Sequence, residues 1–363
     1  MSTPCKPLRR AVTAASVLLA VAGLPFAPGT AGAAELQAYA GAVAGVAQGS
    51  GSPFACATSG PTIGNGWFAG ISLPTEGFAA CHLAGGIDNQ FASGGVLHAA
   101  QSATGTVEGG SFSGSSSAVA GFGRLGVAAE GLMTGGTSAF TYHQAAGFAR
   151  FQDTLTLSNP LIATGTAGSV NFGFLIDGLL SSSPHPPYTQ QADIALGLRV
   201  GGGSGGPWTS FQATVINDGL PYVRGGSTGL PGSFVLGAGS LSGSADVLST
   251  ANFGFQWGVP FQLEVAFLTS VYPCCWGAAM AADFSSTAVM SAIVARANGL
   301  AVSDFTVASQ SGTAYGAAGL LPVPEPASAW LLGAGALALW AWRRLGGGRG
   351  PMDSIGAMRP RSS

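Results

Sequence analysis

The sequence predicts an all-β fold, an antiparallel β-sandwich or jelly-roll-like ectodomain, over residues 34–322. Three observations predict it. Apolar and polar side chains alternate with a period of two in many short segments, which is typical of strands with one buried face. The connecting segments are rich in Gly, Pro, Asn and Ser, the residues that turns require. Long helical segments do not separate the strands, which disfavours a parallel α/β fold.

The alternation is clearest in residues 192–200 and 261–267, where the larger apolar side chains fall on one face. The same period predicts further strands at residues 151–157, 170–176, 211–215, 253–257 and 303–307. Turn-rich connectors lie at residues 184–187, 201–207, 217–219 and 225–227. Residues 287–297 fit either another strand or a short helix.

Residues 34–150 are poorer in large apolar side chains and richer in Gly, Ala and Ser than the rest of the domain. Residues 117–120 and 138–142 still predict strands with small side chains on one face. The aromatic residues of this stretch include Trp67, Phe68, Phe78 and Phe91. Because these side chains need burial, we expect one domain rather than a low-complexity stalk before a second domain.

Charged residues are scarce and unevenly placed. The 13 basic and 15 acidic residues make up 8% of the 363 residues, against about 25% in a typical soluble domain. Residues 34–322 hold thirteen acids and five arginines, a net charge of −8, between two basic ends. Such a domain lacks the basic surface that binds nucleic acid. The 47% of hydrophobic residues argues against a charged, disordered chain.

The N-terminus has the three parts of a secretory signal peptide, which we predict over residues 1–33. A short basic region precedes an apolar core at residues 11–24. Small side chains follow at Ala31 and Ala33, the two positions that a signal peptidase must accept. Cleavage is therefore predicted before Ala34, with signal peptidase and the export machinery as partners.

The C-terminus has a second pattern of this kind. Its short motif is Val323, Pro324, Glu325 and Pro326, and its basic pair is Arg343 and Arg344. Between them lie the apolar residues 327–342, which as a helix would span about 24 Å, somewhat less than the hydrocarbon core of ~30 Å. We expect one short transmembrane helix whose Arg pair stays cytoplasmic, followed by a Gly- and Arg-rich disordered tail at 345–363.

Residues 323–344 resemble the PEP-CTERM sorting signal of Gram-negative bacteria, with motif, apolar helix and Arg pair in that order. The resemblance implies that an exosortase, a membrane-embedded cysteine protease or transpeptidase, acts near residues 324–326. It also implies export across the inner membrane, transient anchoring by the C-terminal helix, and a final place at the cell surface or outside the cell. Members of this family are associated with extracellular polymer and biofilm. The residues after Arg344 depart from the family pattern, because such signals usually end near the basic cluster.

Four cysteines follow the signal peptide: Cys56, Cys81, Cys274 and Cys275. An even number in an oxidising compartment favours disulfides. Pairing Cys56 with Cys81 would leave Cys274 and Cys275 as a strained vicinal pair, so crossed pairing of the two sets stays open. The spacing lacks paired Cys-x-x-Cys units, which disfavours a zinc site.

The sequence contains no pattern of catalytic residues, and we expect no enzymatic activity and no cofactor. His82, His98, His143 and His185 lack the spacing of metal ligands. A calcium site has no D-x-D-x-D-G loop to support it. The aspartates occur singly, and we expect most at turns and strand edges. Those of residues 34–322 are Asp88, Asp153, Asp177, Asp193, Asp218, Asp246, Asp283 and Asp304.

Three functions fit these observations. We favour an exported cell-surface or extracellular-matrix protein that binds exopolysaccharide, which an outward aromatic strip with Trp208 or Trp276 would support. The second is a secreted polysaccharide hydrolase, which two carboxylates about 5–10 Å apart in a groove would support. The third is a self-associating structural surface protein, because Gly/Ala/Ser strands with few charges leave sheet edges open to pairing.

Overall fold

The computed structural model consists of strands joined by turns. It describes residues 33–46, 82–107, 110–135, 141–183, 191–201, 208–216, 222–224, 232–237, 239–249, 251–272 and 279–322. Within these ranges there is no helix long and apolar enough to cross a membrane. The predicted helix at 327–342 and all four cysteines, Cys56, Cys81, Cys274 and Cys275, lie outside the described residues.

The strands differ widely in length. In the first half they are β1 (Glu35–Val46), β2 (His82–Ala92), β3 (Leu97–Val107), β4 (Gly110–Gly121), β5 (Arg124–Gly135), β6 (Thr141–Ser158), β7 (Ala167–Ser182), β8 (Gln191–Val200) and β9 (Trp208–Ile216). In the second half they are β10 (Tyr222–Arg224), β11 (Val235–Gly237), β12 (Ser240–Leu248), β13 (Phe253–Gln256), β14 (Phe261–Tyr272), β15 (Ala279–Ala297), β16 (Leu300–Val302), β17 (Thr306–Ser309), β18 (Tyr315–Gly316) and β19 (Gly319–Leu320).

The strands form two antiparallel sheets. Sheet A runs β10-β9-β8-β14-β6, and the far edge of β6 pairs first with β1 and then with β17. Strand β2 lies outside β1, and β18 and β19 follow β17. Sheet B runs β11-β12-β7-β15-β5-β4-β3, with β13 beside β7 and β16 beside β15. The predicted all-β antiparallel class is confirmed.

The inner faces of the two sheets share one apolar core. On β14 the alternate residues Leu263, Val265 and Phe267 are fully buried. The ring of Phe267 in sheet A meets Phe284 of sheet B edge-on, with centroids 6.0 Å apart. The long strands thus bury alternate side chains against the opposite sheet, as the period of two predicts. Strands from before and after residue 150 contribute to both sheets.

The two outer faces differ in exposure. On the outer face of sheet A, Tyr39, Phe148 and Leu268 belong to a second apolar cluster and are at most 1% exposed. Polar residues of the same face, such as Gln144 and Glu264, are also buried. The outer face of sheet B is open to solvent over several strands, so it is the broad accessible face of the described domain.

Most predicted strands lie inside observed ones, and residues 287–297 belong to strand β15 rather than to a helix. The prediction at 303–307 is wrong in its bounds. Residues 303–305 form a connection and β17 begins at Thr306, because pairing with β6 starts only at the Thr306–Ser158 register. Residues 138–140 lie outside the described part.

Candidate binding face

Exposed and half-buried hydroxyl side chains cover much of the outer face of sheet B, which we call the hydroxyl face. Its Ser and Thr residues are Ser102, Thr104, Thr106, Ser111, Ser113, Ser115, Ser117, Thr134, Ser181, Ser240, Ser242, Ser244 and Ser285. They share this face because the period of two puts alternate residues of each strand on the same side. Cross-strand registers align them, with Ser102 opposite Ser115 and Ser181 opposite Ser240.

Three shallow grooves join end to end on the hydroxyl face. The central groove has a volume of about 850 Å³ and crosses β3, β4, β5 and β15. It shares Glu130 and Ala281 with a second groove of about 550 Å³. It shares Leu179, Asp283 and Ser285 with a third of about 560 Å³. The three form one continuous channel across sheet B.

Four carboxylates form a diagonal row across the hydroxyl face, and three of them, Glu130, Asp177 and Asp283, line the channel. Glu130 of β5 pairs with Ala281, two residues from Asp283 of β15. Asp283 pairs with Leu179, two residues from Asp177 of β7. Asp177 is in turn two residues from Leu175, which pairs with Asp246 of β12. The row therefore continues to Asp246. Diagonal neighbours in a sheet are roughly 7–8 Å apart, and all four side chains are exposed.

A wide bulge in β15 shapes the channel. The register shifts between Phe284 and Ala288 relative to both neighbouring strands, so extra residues of β15 bend out of the sheet. The Asp283 carboxylate accepts the Ser285 N–H at 3.1 Å and fixes the turn. A Cβ on Gly126 of the adjacent strand would overlap the Ser285 carbonyl oxygen. Only glycine at that position lets the bulge lie against β5.

The described lining of the three grooves combines Ser hydroxyls and carboxylates with apolar side chains such as Ala128, Leu179 and Ala281. It includes neither aromatic rings nor Lys, Arg or His. The outward Trp208 or Trp276 that would support a stacking platform cannot be placed, since the Trp208 side chain and all of Trp276 fall outside the described part. Among the described residues, groups of three or more His, Cys, Asp or Glu suited to a metal ion are absent.

The sequence predicts a turn or strand-edge position for most aspartates, but Asp153 lies in the interior. It sits on the inner face of β6 with no exposed surface. Its carboxylate accepts the N–H and hydroxyl of Ser311, at 3.0 and 2.5 Å, the Tyr315 hydroxyl at 3.4 Å and the Thr154 N–H at 2.9 Å. Burial raises its pKa, and the hydrogen bonds from Ser311 partly oppose this rise. Burial and the nearby Asp153 charge raise the pKa of Tyr315.

The residues of the two predicted processing signals are only partly described. Ala33 and Ala34 begin the described chain, and Ala34 is 8% exposed. The remaining signal residues lie outside it: Ala31, Val323, Pro324, Glu325, Pro326, Arg343 and Arg344. Sequence patterns predict these processing residues. They do not predict the carboxylate row, because the periodicity of a strand does not tell which strands lie beside it.

Comparison with known proteins finds one family match. A family model described as the PEP-CTERM protein-sorting motif matches residues 322–344. The match covers the segment in which motif, apolar run and Arg pair follow one another. Neither a curated protein nor a solved structure matches the chain.

Proposed function

Because the chain carries a PEP-CTERM protein-sorting signal, which implies an exosortase-sorted, exported surface protein, we propose that it is a cell-surface or extracellular-matrix component whose hydroxyl face binds exopolysaccharide. The continuous channel of that face, with its Ser hydroxyls and carboxylates, is the observation that carries the binding proposal. Hydroxyls and carboxylates hydrogen-bond sugar hydroxyls as donors and acceptors. A channel across several strands suits a long polymer better than a small ligand.

The charge of the channel restricts the polymer. It presents Glu130, Asp177 and Asp283, and residues 34–322 carry a net charge of −8. An anionic polysaccharide would be repelled, because like charges across an interface oppose binding. The proposed ligand is therefore an exopolysaccharide that is uncharged or carries amino groups.

Binding of the exported protein to purified polysaccharides tests this proposal. We expect binding to neutral or amino-bearing polymers and none to an anionic polymer at low salt. Asp177→Asn and Asp283→Asn should each weaken binding about tenfold, the value of one charge-assisted hydrogen bond. Asp304→Asn is the matched control, because Asp304 is an exposed carboxylate on the β16–β17 connection, away from the channel.

Two results would contradict the binding proposal. One is preferential binding to the anionic polymer. The other is equal weakening by the Asp283 and Asp304 substitutions, which would place the binding surface elsewhere.

A polysaccharide hydrolase is the second candidate, and the carboxylate row is the observation that favours it. Diagonal neighbours such as Asp177 and Asp283 have a spacing that suits an inverting glycosidase, roughly 6.5–9.5 Å between carboxyl groups. A general acid, however, needs a shielded site that keeps it protonated, and both side chains are exposed on a flat sheet. We therefore propose binding without catalysis. Oligosaccharide release that Asp283→Asn abolishes would reverse this preference.

A further inference from the structure

We propose that Asn298, in the turn between β15 and β16, is a site of spontaneous deamidation, and that this modification loosens the hairpin as the protein ages. The site depends on the turn alone and not on the export or the binding proposed above.

The turn between β15 and β16 has two residues, Asn298 and Gly299. Ala297 pairs with Leu300 as the last register of the β15–β16 ladder, so only these two residues lie between the strands. Their φ angles are both positive, 49° and 81°, as a type I′ turn requires. Among the described residues, Asn298 is the one non-glycine residue with positive φ, a region that asparagine adopts more readily than most residues.

Deamidation needs two groups, and they are neighbours in this turn. The Gly299 backbone nitrogen, after losing its proton to base in the solvent, attacks the side-chain carbonyl carbon Cγ of Asn298. A C–N bond forms, the bond from Cγ to Nδ2 breaks, and Nδ2 leaves as ammonia after taking a proton from water. Water then opens the resulting succinimide ring at either carbonyl. The products are aspartate and isoaspartate, in which the main chain runs through the former side chain.

The described fold leaves this reaction unobstructed. Asn298, Gly299 and Leu300 are exposed, and a Cβ built on Gly299 would have no described atom within 4 Å. A side chain on the residue after asparagine would crowd the attacking nitrogen, and glycine has none. Because β16 is short and two of its three residues are exposed, the turn can open locally to reach the geometry of attack.

The other described asparagines lack these conditions. They are Asn89, Asn159, Asn171 and Asn252, and the residues that follow them are Gln90, Pro160, Phe172 and Phe253. The side-chain oxygen of each accepts a hydrogen bond, from Gln37, from the Leu161 N–H or from Arg296. Within the described part of the chain, no such bond holds the Asn298 side chain. Asn298 is therefore the asparagine of the described domain that is suited to deamidation.

The isoaspartate product changes the hairpin. It lengthens the backbone of the two-residue turn by a methylene carbon, and hairpin register depends on loop length. Strand β16 pairs only with β15 in the described part of the chain, so little else holds it in place. Its release would open the edge of β15 at Ala295–Ala297. Either product also adds a negative charge to an acidic domain.

Peptide mapping of the purified full-length protein after prolonged incubation tests the modification. Trypsin cleaves after Arg296, so the peptide that begins at Ala297 reports on Asn298; Asn65, which also precedes glycine, lies outside the described residues and falls in a different peptide. We expect conversion of Asn298 at least about tenfold faster at pH 8 than at pH 6, because each pH unit raises the deprotonated fraction of an amide about tenfold. Asn171 and Asn252 are the internal controls and should stay intact.

Hydrogen exchange tests the loosening. The isoaspartate form, separated by ion exchange, should exchange the backbone amides of β16 at least about tenfold faster than the unmodified protein. Asn298→Asp is the matched control, because it adds the charge without lengthening the backbone, and it should keep the slow exchange.

Three results would overturn the proposal. One is an intact Asn298 in the folded protein after an incubation that deamidates the urea-unfolded chain, because the turn would then protect the side chain. Another is equal conversion of Asn252, which would remove the role assigned to the turn. The third is unchanged exchange of β16 in the isoaspartate form, which would contradict the loosening.

Discussion

At the scale of single residues, Asp153 shows how a buried carboxylate can fix a chain end. It lies in β6, and its partner Ser311 belongs to the turn between β17 and β18. The groups of Ser311, Tyr315 and Thr154 that contact it are all hydrogen-bond donors, which suits an acceptor-only carboxylate. Burial raises its pKa above the ordinary value of 3.8, so the folded state retains a proton more readily than the unfolded chain.

The raised pKa of Asp153 predicts a pH dependence of stability. Its contribution is largest below pH 3.8 and is lost as the pH rises through the raised folded-state pKa. Asp153→Asn removes this titration. We therefore expect the free energy of unfolding of the wild type, relative to this variant, to fall between pH 3.5 and pH 7. Urea unfolding across this range provides the measurement.

A second substitution controls the Asp153 experiment. Ser311→Ala removes the hydroxyl donor that lowers the pKa of Asp153 and keeps the backbone N–H donor, so the loss of stability should extend to higher pH. A relative stability that rises with pH would contradict the assigned direction.

At the scale of strands, a row of alternating charges joins four members of sheet A. Arg150 of β6 contacts Glu35 of β1 and, at 2.6 Å, Glu264 of β14. Glu264 also meets Arg199 of β8 at 3.3 Å. The Glu264 side chain is 6% exposed, whereas that of Glu35 is 40% exposed. The row therefore passes from the surface into a buried position.

This difference in burial predicts unequal losses of stability. Glu264→Gln leaves two guanidinium groups without their shared buried carboxylate and should lower the free energy of unfolding by roughly 3 kcal/mol. Glu35→Gln, the matched control, removes an exposed partner and should cost less than about 1 kcal/mol. Urea unfolding at neutral pH measures both. Equal losses would mean that the buried pair contributes no more than the exposed one.

The free edge of β3 is protected by side chains of β2. The Asp88 carboxylate accepts the Ala100 N–H at 3.0 Å, and the Gln90 amide donates to the His98 carbonyl at 2.7 Å. Edge strands with open backbone groups are templates for pairing with another chain. The Asp88 and Gln90 side chains hydrogen-bond these backbone groups of β3, where β2 of sheet A lies beside β3 of sheet B.

Removal of this protection should promote self-association. We expect Asp88→Ala to increase concentration-dependent oligomer formation in sedimentation experiments, because the Ala100 N–H becomes available to another strand. Asp304→Ala serves as the control for loss of an exposed carboxylate. Unchanged sedimentation of the Asp88 variant would show that β2 itself, and not this side chain, blocks the edge.

At the scale of the whole molecule, the export proposal predicts a defined mature product. In a strain with exosortase, the chain should begin at Ala34 and lack the C-terminal helix. Intact-mass measurement of surface and medium fractions reads both ends in one experiment. Retention of residues 327–363 in all of the protein would contradict processing, and a strain without exosortase provides the control.

The sequence by itself determined the sorting signal and the fold class. The sorting signal is local: motif, apolar run and Arg pair are contiguous at residues 322–344. The all-β class follows from the period of two, which also belongs to each strand separately. The period does not determine where a strand begins, because this depends on its pairing partner. The segment 303–307 shows this: β17 begins only at Thr306, which pairs with Ser158.

Only the tertiary structure decided which side chains meet. The row from Glu130 through Asp283 and Asp177 to Asp246 depends on the order and register of β5, β15, β7 and β12. The contact between Gln152 and Ala33 joins residues 119 positions apart. Strand order and register are set by packing energy summed over the whole core, which no single segment carries. The sorting signal could therefore be identified from the sequence, whereas the proposed binding face required the fold.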